Sequence, residues 1–138
     1  MDVFGEEWHN HDQKIALNWD RVVKPEDTVL IAGDTSWAMR LPEAVPDFEW
    51  IAARPGRKIM AKGNHCYFWS TQRKMREILD PLGIEPLNAD RTMVGGTAVA
   101  ATRGWITPSD PRFDPAKDQV VYQREIQRLE RALSRVPE

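Results

Sequence analysis

Apolar side chains recur at helical spacing over residues 10–23 (NHDQKIALNWDRVV), where Ile15, Trp19 and Val22 share one side. Lys24-Pro25-Glu26-Asp27 interrupts that pattern, because proline disfavours helical backbone in the residue before it. Thr28-Val29-Leu30-Ile31-Ala32 follows as a β-branched, apolar run without alternation, which predicts a strand buried on both faces as in a parallel sheet. Gly33-Asp34-Thr35-Ser36-Trp37 ends it. Residues 42–53 (PEAVPDFEWIAA) predict a helix with Pro42 at its first position, and Pro46 is expected to kink it or delay its start. Arg54-Pro55-Gly56-Arg57 places proline and glycine at the centre of a type II turn. A second buried strand, Lys58-Ile59-Met60-Ala61, comes next, and residues 70–80 (STQRKMREILD) form a helix that opens on Ser70 as cap and is stopped by Pro81 and Gly83.

The texture then changes to hairpins. Met93-Val94 and Thr97-Ala98-Val99-Ala100 flank Gly95-Gly96, a pair suited to the positive φ angles of a type I′ turn. A Pro/Asp-rich loop over residues 107–118 leads into a long helix over 118–136, with Tyr122, Ile126, Leu129, Leu133 and Val136 as one apolar stripe. Repeats and low-complexity segments are absent.

The chain has 138 residues, enough for one domain with a real core, and its balance of 29% charged and 41% hydrophobic residues is that of a soluble globular protein. A net charge of −2 argues against bulk attraction to nucleic acid or anionic lipid, and nucleic acid is not expected as a partner. A single cysteine excludes an internal disulfide and fits a reducing compartment. No run of about 18 apolar residues predicts a membrane span. The opening residues lack the basic start and apolar stretch of a signal peptide, so a cytoplasmic location is expected. Six tryptophans are many for this length, and the ordinary reading is core or interface packing.

Two apolar runs, "VLIAGD" and "KIMAKGNH", both pass into glycine and then into a side chain that binds metals or moves protons. Asp34 and Asn64 stand 30 positions apart, about the length of one β-α-β unit. The helix at 42–53 supplies the crossover, so the two strands run parallel and both carboxyl ends meet on one edge of the sheet, where open α/β folds bind ligands. Asp34, Asn64 and His65 are thereby expected to converge. An aspartate can bridge two metal ions, and an asparagine amide oxygen is a neutral metal ligand. A histidine beside them can protonate a leaving oxygen. Metal ions about 3.5–4 Å apart stabilise both attacking and leaving oxygens in phosphate-ester hydrolysis. Gly-Asp and Gly-Asn are also ordinary turn pairs; the spacing and the shared sheet edge are what set them apart here.

Through Gly33-Asp34 and Gly63-Asn64-His65, each after an apolar strand, the sequence resembles the calcineurin-like metallophosphoesterase superfamily. The texture of "VLIAGDTSWAMRLPEA", "LPEAVPDFEWIAARPGRKI" and "TRGW" is similar to a largely uncharacterised bacterial branch, over nearly the whole chain. The resemblance implies an α/β fold, a mixed sheet with flanking helices, and a two-metal site that hydrolyses phosphomonoesters or phosphodiesters. It implies Asp34 as bridging carboxylate, Asn64 as ligand of the second metal, and His65 as the catalytic proton donor that also contacts phosphate. The divalent metals it implies are manganese, iron, zinc or magnesium. The family also has an upstream Asp-x-His motif and a later Gly-His-x-His motif. The three histidines here are His9, His11 and His65, and neither motif is present. The expectation is therefore an incomplete single domain over residues 1–138, the middle of a longer protein or a variant that has lost its metals, with weak turnover. Family members usually carry an acidic residue where Cys66 stands. A thiol accepts hydrogen bonds weakly, so Cys66 is expected to orient His65 less well and to act as a small buried filler rather than a metal ligand.

The remaining candidates have plainer readings. His9 and His11 could bind zinc or manganese but are expected as solvated residues near a helix start. Arg103 and Gly104 could reach a substrate phosphate or form a turn with Trp105 tucked into the core. Tyr67, Phe68 and Trp69 could wall a substrate cleft but are expected as packing beneath the loop. "VGGTAVAATRG" lacks the spacing of a dinucleotide site. Arg124, Arg128, Arg131 and Arg135 give the last helix a basic face, diluted by Glu125 and Glu130 and expected to be solvated. A second function class stays open: a non-catalytic α/β module that binds a partner, or a second copy of itself, through an exposed sheet edge or that basic face.

Overall fold

The computed structural model describes residues 5–134 and is a mixed α/β structure. Helix α1 (His11–Val22) leads to strand β1 (Thr28–Ile31). A 3-10 turn over Leu41–Ala44 precedes helix α2 (Val45–Ala52), so Pro46 falls within the first turn of α2 and the delayed start is accounted for. Strand β2 (Arg57–Ala61), helix α3 (Gln72–Leu79) and strand β3 (Ile84–Leu87) complete a second crossover. The hairpin β4 (Asp90–Val94) and β5 (Thr97–Ala101) and the long helix α4 (Pro115–Ser134) follow.

Strands β1, β2 and β3 form a parallel sheet in that order, and β4 and β5 an antiparallel ribbon. Parallel and antiparallel strands therefore lie in two small sheets, not in the one mixed sheet expected. Strand β3 did not stand out in the sequence because Glu85 and Pro86 interrupt its apolar run. Proline is tolerated there because β3 is at the sheet edge.

Register places Val29, Ile31, Lys58, Met60, Ile84 and Pro86 on one face of the parallel sheet. Met60 and Ile84 join Phe48 and Ile51 of α2, Met75 and Leu79 of α3, and Cys66, Phe68 and Trp69 in the buried core. Phe48 and Phe68 meet edge to face at 5.4 Å. The Lys58 ammonium is drawn back to the C-terminal end of α2, where it donates to the carbonyls of Ala52 and Arg54. Burial, with Arg54 close by, lowers its pKa. On the opposite face Arg57 ties the sheet to the hairpin, donating to Glu85 (2.7 Å), Thr92 (3.1 Å) and the Met93 carbonyl (3.0 Å).

Several expectations are corrected. Strand β1 is an edge strand, and Leu30 is 57% exposed, so it is not buried on both faces. On α1, Ile15 and Val22 are exposed, and the helix is held through Trp19, whose indole N–H donates to the Pro55 carbonyl (3.0 Å). The cap of α3 is Thr71, which accepts from the Lys74 N–H (3.3 Å), not Ser70. Helix α4 begins three residues earlier than expected, at Pro115. Its buried positions are Glu125 and Ala132, while Leu133 of the expected stripe is exposed; Val136 and Arg135 lie outside the described residues. The hairpin turn has Gly95 and Gly96 at φ 52° and 82°, as a type I′ turn requires.

The face of α4 expected to be solvated is instead partly consumed inside the molecule. Glu125 is 3% exposed and faces Arg128 (2.8 Å), Arg103 (3.5 Å), Arg124 (3.8 Å) and the Thr102 hydroxyl. Replacing Glu125 by alanine removes the acidic group of that contact and leaves three guanidiniums that remain partly hydrated. The expected loss is about 2 kcal/mol of unfolding free energy, read from urea denaturation. A neutral result would mean that the arginines are held by something other than Glu125.

Candidate active site

The carboxyl ends of β1 and β2 are adjacent because the strands pair in register, Ile31 beside Met60. The loops that follow touch backbone to backbone. A Cβ on Gly33 would lie 2.3 Å from the Gly63 nitrogen, so glycine is what permits this approach. Gly33 has φ 101° and Asp34 φ 52°, a left-handed pair that turns the chain back across the end of β2.

The Asp34 carboxylate faces the Gly63–Cys66 loop. Its Oδ1 accepts the His65 backbone N–H at 2.9 Å, and its Oδ2 lies 3.2 Å from His65 Nδ1. Asn64 Nδ2 stands 3.4 Å from His65 Nε2. One protonation pattern satisfies all three contacts: Nδ1–H donates to Asp34, and Nε2 accepts from the Asn64 amide. Asp34, Asn64 and His65 are thus brought together by two loops from separate strands, and all three side chains are open to solvent.

Cys66 sits beneath this group, buried, and is more than a filler. The backbone N–H groups of Asp34 and Gly63 both donate to its sulfur at 3.2 Å, and its thiol lies 3.8 Å from Asp34 Oδ1. It pins the first loop to the second and does so without contacting the His65 ring. Cys66→Ala leaves two N–H groups without an acceptor and is expected to cost about 1–2 kcal/mol of stability, with Cys66→Ser losing less. Comparing urea midpoints of the two variants checks this. Equal midpoints for wild type and Cys66→Ala would show that the sulfur contacts contribute nothing.

The other candidates lie apart. His9 is exposed, and His11 is the first residue of α1, its Nδ1 3.0 Å from the Trp8 carbonyl. The Arg103 guanidinium stacks over Trp105 at 4.7 Å and faces Glu125. The Asp114 backbone N–H (2.8 Å), and after it the Trp105 indole N–H (2.9 Å), donate to the Asp118 carboxylate and hold it below its ordinary range. Phe68 and Trp69 are core residues, whereas Tyr67 is exposed and meets the His65 ring edge-on at 6.0 Å. Lys62, just before Gly63, has its pKa lowered by burial first and by Arg103 second.

A cleft of about 730 Å³ opens beside Asp34, between α1, α2 and the segment after β1. Trp8, Trp19, Trp37 and Trp50 line it, four of the six tryptophans in the chain. Sequence reading assigned them to packing in general. They stand on separate segments, at the 3-10 turn before α1, on α1, after β1 and on α2, so no spacing in the sequence signals that they share a wall.

Among the described residues no helix is long and apolar enough to cross a membrane. Also among them, no group of three or more His, Cys, Asp or Glu side chains is placed to hold a metal ion. No family model matches the chain, and no solved structure matches it. A 55-residue stretch is 44% identical to the Gene 66 protein of Mycobacterium phage L5, covering 40% of this chain and 26% of that protein's length.

Proposed function

We propose that the chain carries part of a metal-dependent phosphoesterase site of the calcineurin-like metallophosphoesterase type, acting on phosphomonoesters or phosphodiesters. The observation that supports the reading is the pairing of the Asp34 carboxylate with His65, at 2.9 and 3.2 Å, across the ends of two adjacent parallel strands. One carboxylate, one amide and one imidazole suit a divalent ion of the manganese, iron, zinc or magnesium type. Asp34 and Asn64 would hold such an ion, which supplies charge neutralisation for the phosphate oxygens. Two protein ligands bind an ion loosely, so slow turnover is expected from this chain.

In the reaction a water oxygen bonds to phosphorus and gives one proton to solvent. The bond to the leaving oxygen breaks, and that oxygen takes a proton from His65, which is then reprotonated from solvent. With Nδ1–H held on Asp34, it is the doubly protonated ring whose Nε2–H would be transferred, the Asn64 amide then presenting its oxygen to Nε2. Asn64, beside Nε2, keeps the ring from turning over. With a chromogenic phosphate monoester and diester in excess manganese, hydrolysis above the buffer rate is expected. A chelator should remove it and fresh manganese restore it. Absence of hydrolysis with each of manganese, iron, zinc and magnesium overturns the reading.

A second reading is favoured by one observation. The outer edge of β1 has no partner strand among the described residues, and Leu30 is exposed beside it. Such an edge can pair with another chain. Association through it, lost on Leu30→Lys and unaccompanied by ester hydrolysis, fits a non-catalytic module.

A further inference from the structure

We propose that the tryptophan-lined cleft beside Asp34 is a leaving-group subsite for phosphoesters whose alcohol carries an alkylammonium cation, of the choline or ethanolamine kind. The proposal rests on the phosphoesterase reading for the phosphate half of the ligand; the cation half stands on the cleft itself. Asp34 belongs to both places, since it contacts His65 on one side and lines the cleft on the other. An ester bound at Asp34 and His65 therefore has its alcohol directed at the cleft or at open solvent.

The walls of the cleft select among alcohols. Trp8, Trp19 and Trp37 offer aromatic surface, while the Trp50 ring already has the Arg54 guanidinium 5.5 Å from its centroid. Trp37 is 76% exposed, so contact with a ligand removes apolar area from water. Indole faces attract quaternary ammonium groups, because the ring quadrupole is negative above its plane. Besides Asp34, the acids Asp12, Glu43 and Asp47 line the cleft, and no lysine or arginine does among the described residues. Glu43 is engaged, accepting the N–H groups of Met39 (3.3 Å) and Arg40 (3.2 Å), which leaves Asp12 and Asp47 to face a ligand. A cleft of this charge repels sugar acids and further phosphates. It holds a cation by charge and by ring contact together. A neutral nucleobase would stack on the indoles but leave the carboxylate charge uncompensated.

The test is a tryptophan-emission titration of the metal-free full chain with choline, phosphocholine, inorganic phosphate and adenosine monophosphate. A saturable change with choline and phosphocholine is expected, weakened about ten-fold in both Trp37→Ala and Asp47→Asn. Trp37 and Asp47 are exposed, so both variants should keep the fold. His65→Ala should leave the choline titration unmoved, because His65 does not line the cleft. Soluble phosphocholine and phosphatidylcholine vesicles tell the two sources of the headgroup apart, and a response to either supports the subsite. No response to any ammonium ligand, or a response to adenosine monophosphate alone, overturns it. Failure of the phosphoesterase reading shows differently: the choline titration survives while no ester is hydrolysed in any metal.

Discussion

Asp34→Ala is expected to lower metal-dependent ester hydrolysis by about 10²–10³-fold, the largest single effect on activity predicted for this chain. The carboxylate carries the negative charge for an ion, and both of its oxygens position His65, one through the backbone N–H and one through Nδ1. With alanine the ring loses its anchor and the loop loses its hook. Alanine also occupies the left-handed backbone of residue 34 (φ 52°) less readily than aspartate, a cost of about 1 kcal/mol. A drop in activity from alanine alone would therefore mix chemistry with folding. Asp34→Asn separates them. Asparagine tolerates that backbone and still accepts the His65 N–H. It brings no charge, and its amide hydrogens oblige Nδ1 to accept, which moves the imidazole proton to Nε2. Asp34→Asn should unfold at the wild-type urea concentration and yet be as inactive as Asp34→Ala. Wild-type kcat/KM in both variants would place the chemistry elsewhere in the molecule.

The convergence of Asp34 with Asn64 and His65 was legible because it follows from local facts. Two apolar runs, a helix-length crossover and two glycines force the ends of β1 and β2 together, whatever the rest of the chain does. Features that depend on distant partners were not legible. Helix α4 shows an apolar stripe by spacing, yet it buries Glu125, because Thr102 and Arg103 at the end of β5 present a hydroxyl and a cation to it. Periodicity within one helix contains no information on what faces it. Strand β3 was hidden by Pro86, an edge-strand feature that only the sheet order explains. Cys66 was read as filler from its size and apolarity. Its role as acceptor for the N–H groups of both Asp34 and Gly63 emerges only when the two loops are seen in contact. The tryptophan cleft was missed for the same reason, since Trp8, Trp19, Trp37 and Trp50 come from four separate segments.

That loop contact sets the second large effect, and it falls on stability. A Cβ added at Gly33 would lie 2.3 Å from the Gly63 nitrogen and 2.6 Å from its Cα, on a backbone at φ 101°. The obstacle is main chain, which no rotamer change can clear. One added at Gly63 would lie 2.1 Å from Asp34 Oδ1 and 2.7 Å from the Asp34 nitrogen. There the carboxylate can swing aside, but only by abandoning the His65 N–H, and the backbone nitrogen still blocks the methyl. Both Gly33→Ala and Gly63→Ala are expected to lose about 3 kcal/mol of unfolding free energy or more. Gly96 provides the control, since it has φ 82° and nothing within 4 Å of an added Cβ. Gly96→Ala bears the backbone term alone, about 1–2 kcal/mol. The excess at Gly33 over Gly96 in urea denaturation measures how closely the two loops approach, and thus how firmly Asp34 is delivered to His65. Equal losses at Gly33 and Gly96 would mean the loops stand apart in solution. Asp34 and His65 would then lack the geometry from which the proposed chemistry starts.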